Sequence, residues 1–339
     1  MNISYRTRQR LQRAGILLLV AALVGTLVYL CWFMWLKRYV VYTRSEGAVL
    51  DMTLDPRIPL GEVAVEPEED PVSIYYNEGE NAINTGVELT QMVGYYADAE
   101  ALTDMDFVKK QVALLPTGTP VMLEVKDGKG RFFYSSSVGT ERWSGIDTAA
   151  MDELIQLLDK KGMYLIAKLP ALRDYTFGLN STSNGLFVSS GAYLWADDDY
   201  CYWLDPTKQG TVTFLVEIVS ELKALGFDEV VFDNYCFPPT TDLKFSGDKT
   251  EALNTTAKTL VTTCADGRFA VSFVAGADGL VCPEGRSRLY MKDVAAAQAA
   301  AVAEQSGVAD PAINLVFLTE NHDTRFNEFS VLRPLDSAG

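Results

Sequence analysis

From about residue 84 onward, short apolar runs alternate with segments whose apolar residues recur at helical spacing. Residues 121–125 and 229–232 are typical of buried strands, and residues 151–158 are typical of one face of an amphipathic helix. This alternation requires a parallel sheet with the helices outside it. Six to eight such units in about 250 residues fit an α/β fold of the (β/α)8 TIM-barrel type better than an open doubly wound sheet.

The second half of the predicted barrel is less regular than the first. Strands are predicted at residues 87–90, 121–125, 163–167, 229–232, 269–274, 289–291, 313–318 and 329–332. The fifth and sixth are separated by about 14 residues, too few for an ordinary helical crossover, and no helix follows the last strand. No glycine-rich phosphate loop follows the first strand, which disfavours a nucleotide-binding sheet. We therefore expect a TIM barrel that is irregular in its second half.

A separate apolar segment precedes this domain. Residues 14–36 contain no charged side chain and have about the 20 residues needed to cross a bilayer. Bulky residues stand where a signal peptide would carry small ones for cleavage, so a single uncleaved transmembrane helix is predicted. Residues 1–13 would form a short cytoplasmic tail, and residues 37–83 a juxtamembrane and acidic, proline-containing tether to the barrel at 84–339.

Charge bears on the orientation and on the partners. Residues 1–44 carry seven basic and no acidic side chains, so the rest of the chain has 22 basic and 45 acidic ones. Such a domain is not expected to bind nucleic acid or an anionic inner leaflet. Four arginines precede the apolar segment and three basic residues follow it, a thin margin under the positive-inside rule. The expected arrangement is a single-pass protein of the cell membrane, with the N-terminus cytoplasmic and the barrel extracytoplasmic.

Candidate functional residues follow from the barrel itself, because TIM barrels work at the carboxyl ends of their strands. Reading past the ends of the predicted strands selects Thr90, Gln91, Lys126, Asp127, Lys168, Arg173, Asp233 and Glu320, together with Glu124 inside the second strand. Each acid also has a structural interpretation. Asp233 could cap a loop, Asp127 could form a turn, Glu320 could be solvated, and Glu124 could pair with a neighbouring lysine.

The presence of only one histidine limits the types of catalytic site that the chain can form. His322 is the sole candidate for a Ser-His-Asp triad, and no GxSxG motif accompanies it. A zinc centre with several histidines is impossible, and no metal or cofactor is expected. Carboxyl groups would therefore act as the general acid and the general base, as they do in glycoside hydrolysis. The long insertion at residues 170–206 carries Tyr193, Trp195 and Trp203, flat aromatic side chains of the kind that a sugar-binding cleft uses.

Four segments carry a resemblance to a known family. They are GFDEVVFDNYCFP at residues 226–238, KGMYLIAKLPALRD at 161–174, VMLEVKDGKG at 121–130 and YWLDPTKQGTVTFLVEIVSELKALGFDE at 202–229. Together they resemble the bacterial glycoside hydrolase domain family of the domain-of-unknown-function 4015 type, over about residues 84–335. A neighbouring glycosyl-hydrolase-like barrel family, with an FDDYFYP-type motif, is similar at residues 233–235. The resemblance implies a TIM barrel that acts on a polysaccharide, such as one of the cell envelope.

By position, the resemblance assigns the motif aspartate to Asp233 and the acid after the second strand to Asp127. Lys126 and Asp174 match other polar positions of the family. Cys236 stands where the family usually has arginine, which removes a planar donor for a carboxylate or a sugar oxygen.

These patterns predict a membrane-anchored, extracytoplasmic glycoside-hydrolase-like protein. The predicted catalytic residues are Asp233, Glu320, Asp127 and Glu124, and the predicted substrate-binding residues are Lys126, Lys168, Arg173, Asp174, Trp195, Trp203 and Tyr235. The alternative hypothesis is a catalytically inactive glycan-binding or envelope scaffold barrel.

Overall fold

A computed structural model describes residues 24–26, 28–29, 32, 40–43, 47–50, 88–276 and 279–338 of the chain. The chain divides into two compact units, Met1–Glu80 and Asn81–Gly339. In the first unit, β1 (Val40–Thr43) and β2 (Gly47–Leu50) pair in an antiparallel hairpin. Among the residues described here, none belongs to a helix with the length and apolar character to cross a membrane. Most of the predicted anchor at 14–36, and all of the tail at 1–13, lie outside the described residues.

The second unit is built around a closed barrel of eight parallel strands in the order β10-β3-β4-β5-β6-β7-β8-β9. The strands are β3 (Val93–Ala97), β4 (Pro120–Glu124), β5 (Tyr164–Pro170), β6 (Glu229–Asp233), β7 (Ala270–Val274), β8 (Leu289–Lys292), β9 (Leu315–Leu318) and β10 (Ser330–Pro334). The helices are α1 (Met105–Leu114), α2 (Thr148–Lys160), α3 (Tyr175–Asn180), α4 (Gln209–Ala224), α5 (Lys249–Cys264), α6 (Ala299–Gln305) and α7 (Pro311–Asn314). The predicted TIM-barrel architecture is thereby confirmed.

Local sequence signals explain where the main helices begin and end. Asp104, Asp147 and Asp248 each accept a hydrogen bond from backbone N–H groups of the first turns of α1, α2 and α5. Gly162 and Gly226 adopt the left-handed backbone conformation after α2 and α4, where a glycine carries no steric penalty. These short caps turn the chain back towards the next strand.

The first barrel strand lies six residues beyond its predicted position. The prediction placed it at residues 87–90, whereas β3 spans Val93–Ala97. The interior glycine of β3, Gly94, weakened its sequence signal, yet the fold requires it: a Cβ there would lie 2.3 Å from the carbonyl oxygen of Pro120. Thr90 and Gln91 therefore precede β3, at the amino end of the barrel, where Gln91 Nε2 donates to the carbonyl oxygens of Asn327 and Phe329 at 3.0 Å.

The expected irregularity in the second half is also present. Within the described residues between β7 and β8, 275–276 and 279–288, the chain forms no helix. The connection from β8 to β9 contains only the short α6 and α7 with a 3-10 turn, Ala296–Gln298. After β10 the chain ends in another 3-10 turn, Leu335–Ala338.

In the described residues, the middle of the barrel interior is apolar, and a fully buried ionic network lies at its amino end. Its inward-facing apolar side chains are Met92, Met122, Ile166, Val231, Val274, Tyr290, Val316 and Leu332. Among them lies the carboxylate of Glu229, which is fully buried and 2.7 Å from Arg288 Nη1. Hydroxyl groups complete its shell, because Tyr164, Tyr290 and Ser272 all donate to it at 2.5–2.9 Å. Glu229 is the first residue of β6, so this network holds the amino end of the barrel.

Removal of the cation from this network should be strongly destabilising. We expect Arg288→Met to lower the free energy of unfolding by about 3–5 kcal/mol, because Glu229 would stay buried without its partner. Urea unfolding of the full-length protein measures the change. Lys109→Met, which breaks the exposed Lys109–Glu153 pair, is the matched control and should cost less than about 1 kcal/mol. Equal effects of the two substitutions would contradict this interpretation of the network.

Candidate active site

A small cavity opens at the carboxyl end of the barrel. Its volume is about 170 Å³, and residues at the ends of five strands line it: Tyr96, Ala97, Asp98, Met122, Glu124, Lys168, Lys292, Asp293 and Leu318. The barrel brings these residues together although nearly 200 positions separate Lys292 from Tyr96 in the sequence. The lining combines three carboxylates with two ammonium groups at one rim.

Lys168 connects two of the predicted catalytic acids. Its Nζ lies 3.6 Å from Glu124 Oε2 and 3.7 Å from Asp233 Oδ2. Glu124 faces Lys168 directly in the strand register, and Asp233 ends the strand on the other side of β5. A backbone N–H also supports Glu124, since Ala99 N donates to Oε2 at 3.2 Å. The prediction that Glu124, Lys168 and Asp233 share one face of the barrel is consistent with these distances.

Asp233 is held as a carboxylate beside the cavity. Its side chain is 16% exposed, and Lys292 Nζ contacts Oδ2 while the N–H of Asn234 donates to Oδ1. Burial by itself would raise the pKa of Asp233, but the attraction of Lys292 and Lys168, with the hydrogen bonds from Lys292 and Asn234, outweighs burial and lowers the pKa below its ordinary value. Asp233 is therefore ionised at neutral pH.

A wider acidic cleft of about 630 Å³ adjoins the cavity and shares Tyr96 and Asp98 with it. Glu320 lines this cleft and is exposed. Burial raises the pKa of the Tyr96 phenol, and the nearby carboxylates of Glu320, Asp98, Asp336 and Asp293 raise it further. The predicted acid Glu320 thus lies at the mouth of the barrel.

Asp293 differs from the other carboxylates of the cavity. It follows β8 directly, and its backbone adopts the left-handed conformation with φ of 55°. Its side chain is exposed, and within the described part of the chain no lysine or arginine forms an ion pair with it. An aspartate tolerates this backbone conformation better than most other residues do.

Two predicted substrate-binding residues lie in the interior instead. Lys126 and Asp174 form an ion pair, 2.6 Å between Nζ and Oδ2, with both side chains 1% exposed. Asp174 also caps α3 by accepting from the N–H of Phe177. Because neither side chain reaches the cavity, their role in this structure is to hold the segments that follow β4 and β5 against each other.

Asp127, predicted to be catalytic, supports a turn. Its carboxylate accepts from the N–H groups of Lys129 and Arg131 and pairs with the Arg131 guanidinium at 2.5 Å. Arg173, predicted to bind substrate, pairs instead with Asp197 and Asp199 at 2.6 Å and 2.7 Å. Arg173 was predicted from strand-end position, and Asp127 from strand-end position and the family resemblance, neither of which reveals local partners.

The predicted aromatic residues Trp195, Trp203 and Tyr235 also pack within the protein. Trp203 is buried, stands edge-on to Trp195 and donates its indole N–H to Asp197. Tyr235 is buried against Phe273 and donates its hydroxyl to the carbonyl of Leu253. None of the three lines the cavity or the acidic cleft.

Sequence reasoning missed Asp98, Lys292 and Asp293, which all line the cavity. Asp98 was missed because the first strand was predicted too early in the chain; ending that strand at Ala97 would have selected Asp98. Lys292 and Asp293 follow the predicted sixth strand, 289–291, so the strand-end rule itself could have found them.

The barrel domain matches a known protein family. Residues 94–274, more than half of the chain, match the family described as "Putative glycosyl hydrolase domain". The chain belongs to this family. The matched region contains β3 to β7 and therefore Asp98, Glu124, Lys168 and Asp233, whereas Lys292 and Asp293 lie beyond it. None of the curated proteins matches the chain.

Solved structures with a similar fold include a hypothetical protein from Ruminiclostridium thermocellum, which is 19% identical with a TM-score of 0.46 over 53% of this chain and 96% of that one. The α-galactosidase from Lactobacillus brevis is 11% identical, with a TM-score of 0.48 over 74% of this chain and 39% of that one. The β-N-acetylhexosaminidase from Bacteroides fragilis is 10% identical, with a TM-score of 0.46 over 68% and 51%. The chain thus spans about half or less of the length of these two enzymes.

The electrostatics of the site can be tested without a substrate. We expect Lys292→Met to raise the pKa of Asp233, because the attraction is lost while the burial remains. The lowered pKa of the wild type stabilises the fold above the ordinary aspartate pKa of about 3.9, and this stabilisation is lost as the pH falls through the lowered value. Carboxyl-carbon NMR titration measures the shift, with Lys109→Met as control. A pKa of Asp233 that stays where it is in the wild type would contradict this assignment.

Proposed function

We propose that the barrel hydrolyses a glycosidic bond of a polysaccharide at the cavity on its carboxyl face. The observation that carries this proposal is the position of Asp233, an ionised carboxylate held by two lysines beside a cavity that three further carboxylates line. Membership of a glycosyl hydrolase family supports the same reaction class. A pair of carboxyl groups in different protonation states is the usual equipment for this chemistry.

The electrostatics favour distinct roles for the acids. Asp233, whose pKa is lowered, would act as the carboxylate partner, either attacking the anomeric carbon or activating a water molecule. The proton donor must be a carboxyl group that is not held by a cation, because an ion pair keeps the proton off. Asp98 and Asp293 both line the cavity without an ion pair among the described residues, but Asp98 Oδ1 accepts from the N–H of Ala101, so we assign Asp293 by its position as the general acid. Glu124 is bound by Lys168 and would position that lysine.

The two lysines beside Asp233 would also bind the substrate. Lys168 and Lys292 line the cavity while contacting Asp233, so a sugar hydroxyl that enters can accept a hydrogen bond from either ammonium group. Glu320 and Asp98 would contact sugar hydroxyls in the adjoining acidic cleft. The 630 Å³ cleft supplies room for sugar units on one side of the cleaved bond.

Replacement of Asp233 tests the proposed chemistry. We expect Asp233→Asn to lower glycan hydrolysis by at least about a thousandfold, because the amide keeps the shape but loses the negative charge. Release of reducing ends from a panel of envelope and plant polysaccharides measures the reaction. Asp127→Asn is the matched control, since that carboxylate holds only a turn. Asp233→Asn with wild-type turnover would refute the assignment.

A binding-only barrel is the second candidate. It is favoured by the engagement of both oxygens of Asp233, Oδ1 by the N–H of Asn234 and Oδ2 by two lysines. A barrel of this kind would retain a polysaccharide without cleaving it. Saturable binding of a glycan by the wild type with no reducing ends released would favour this candidate over the hydrolase.

We also propose that a helix at residues 14–36 anchors the protein in the cell membrane, with the barrel on the extracytoplasmic side and an envelope glycan as its substrate. The support is the uncharged apolar stretch and the change from a basic N-terminus to an acidic remainder.

Protease added to intact cells tests this topology. The barrel should be degraded without cell lysis, while a cytoplasmic marker protein stays intact, because the bilayer shields the cytoplasm from the protease. A barrel that resists the protease until the cells are lysed, and is then degraded, would place the domain inside.

A further inference from the structure

An aromatic side chain is held in an unfavourable backbone conformation at the tip of the insertion that follows β5. Four non-glycine residues have positive φ in the described part of the chain. Three are Asn or Asp, whose short side chains tolerate this region. The fourth is Tyr200, with φ of 59°, and a bulky residue there is a true outlier.

The protein makes little use of the Tyr200 ring. The side chain is 77% exposed, and no described residue hydrogen-bonds to its hydroxyl or pairs with its ring. Glycine or asparagine would suit the same turn at lower cost. Packing against the described residues therefore does not offset the strain, which is the situation in which a strained residue indicates function.

The turn that carries Tyr200 is rigid. The N–H of Tyr200 donates to the carbonyl of Asp197 at 2.9 Å, and the carboxylate of Asp197 accepts from the N–H groups of Asp199 and Cys201. The same carboxylate also accepts from Arg173 Nε and Trp203 Nε1, at 2.6 Å and 3.1 Å. Five hydrogen bonds thus converge on one turn and hold the backbone from which the exposed ring projects.

The turn lies on the same face of the barrel as the cavity. Arg173, which forms ion pairs with Asp197 and Asp199 of this turn, comes three residues after β5 ends at Pro170. Lys129, whose Nζ contacts the carbonyl of Asp199, comes five residues after the end of β4. Both anchors thus belong to segments that leave the carboxyl ends of neighbouring strands, where Glu124 and Lys168 line the cavity.

We propose that Tyr200 is a stacking platform for a polysaccharide chain outside the cleavage cavity, an inference that rests on the proposed function for the identity of the ligand. The face of an aromatic ring is electron-rich and attracts the C–H groups of a sugar ring. Asp198 lies two residues before the tyrosine, is exposed and forms no ion pair in the described part of the chain, so an anionic glycan would be repelled. The ligand is a neutral or amino-bearing glycan, long enough to reach both the platform and the cavity.

Three substitutions separate this role from a structural one. Tyr200→Gly removes the ring and relieves the strain, so its Tm should equal or exceed that of the wild type. Tyr200→Phe keeps the ring. Tyr193→Ala is the matched control, because Tyr193 is 66% exposed in the same insertion but lies on unstrained backbone.

The measurement is the binding of full-length protein in detergent to immobilised long-chain glycans: a neutral β-glucan, partially de-N-acetylated chitin and polygalacturonate. We expect the wild type to bind the first or the second but not the third. Tyr200→Gly should weaken that binding about tenfold, equivalent to about 1.4 kcal/mol, while Tyr200→Phe and Tyr193→Ala stay within about twofold.

The inference is overturned if the wild type binds none of the three glycans, if it binds polygalacturonate best, or if Tyr200→Gly binds as the wild type does. An equal loss in Tyr193→Ala, or a lower Tm in Tyr200→Gly, would also overturn it. Binding that depends on Tyr200 in a protein that releases no reducing ends would refute the hydrolase and leave the platform standing. If the protein hydrolyses a glycan but its binding does not depend on Tyr200, the platform would be refuted and the hydrolase would stand.

Discussion

Closure of the barrel between β10 and β3 is the constraint on which the site depends. These two strands pair in parallel from Val331 opposite Val93 to Pro334 opposite Tyr96. In an open sheet, the ends of β3 and β10 would stand at opposite edges. With the sheet closed, the carboxyl ends of all eight strands surround one opening, and side chains from five of them line a single cavity.

The barrel contains one ionic cluster at its amino end and another at its carboxyl end. At the amino end, Glu229 and Arg288 are fully enclosed and satisfied by tyrosine and serine hydroxyls, an arrangement suited to holding strands together. At the carboxyl end, Asp233 and its two lysines retain contact with solvent. The first residue of β6, Glu229, belongs to the cluster at the amino end. Its last residue, Asp233, belongs to the cluster beside the cavity. A chain with a net negative charge thus places two lysines, Lys168 and Lys292, beside one carboxylate.

Much of the architecture was predictable from periodicity, because most of the strands carry short apolar runs, such as residues 121–123 and 315–318. β3 was misplaced because its glycine and two tyrosines dilute that signal. Strand-end position predicted that Asp233 and Lys168 lie at the carboxyl rim of the barrel, and the structure places them there. The strand-end rule did not reveal that Lys126, Asp174 and Asp127 form ion pairs within the protein, because a sequence does not show which residue a nearby loop supplies as a partner. For the same reason the sequence does not show that the insertion buries Trp203 and half-buries Trp195 while it exposes Tyr200.

The central claim is that the cavity beside Asp233 is where a glycan is held for cleavage. A crystal structure of the full-length Asp233→Asn protein soaked with an oligosaccharide of its best-bound polysaccharide tests this claim most directly. The account predicts a sugar ring in the cavity, with its glycosidic oxygen within hydrogen-bond distance of Asp293 and its anomeric carbon facing residue 233. A sugar bound elsewhere on the barrel, with the cavity filled by water and both lysines undisturbed, would contradict it.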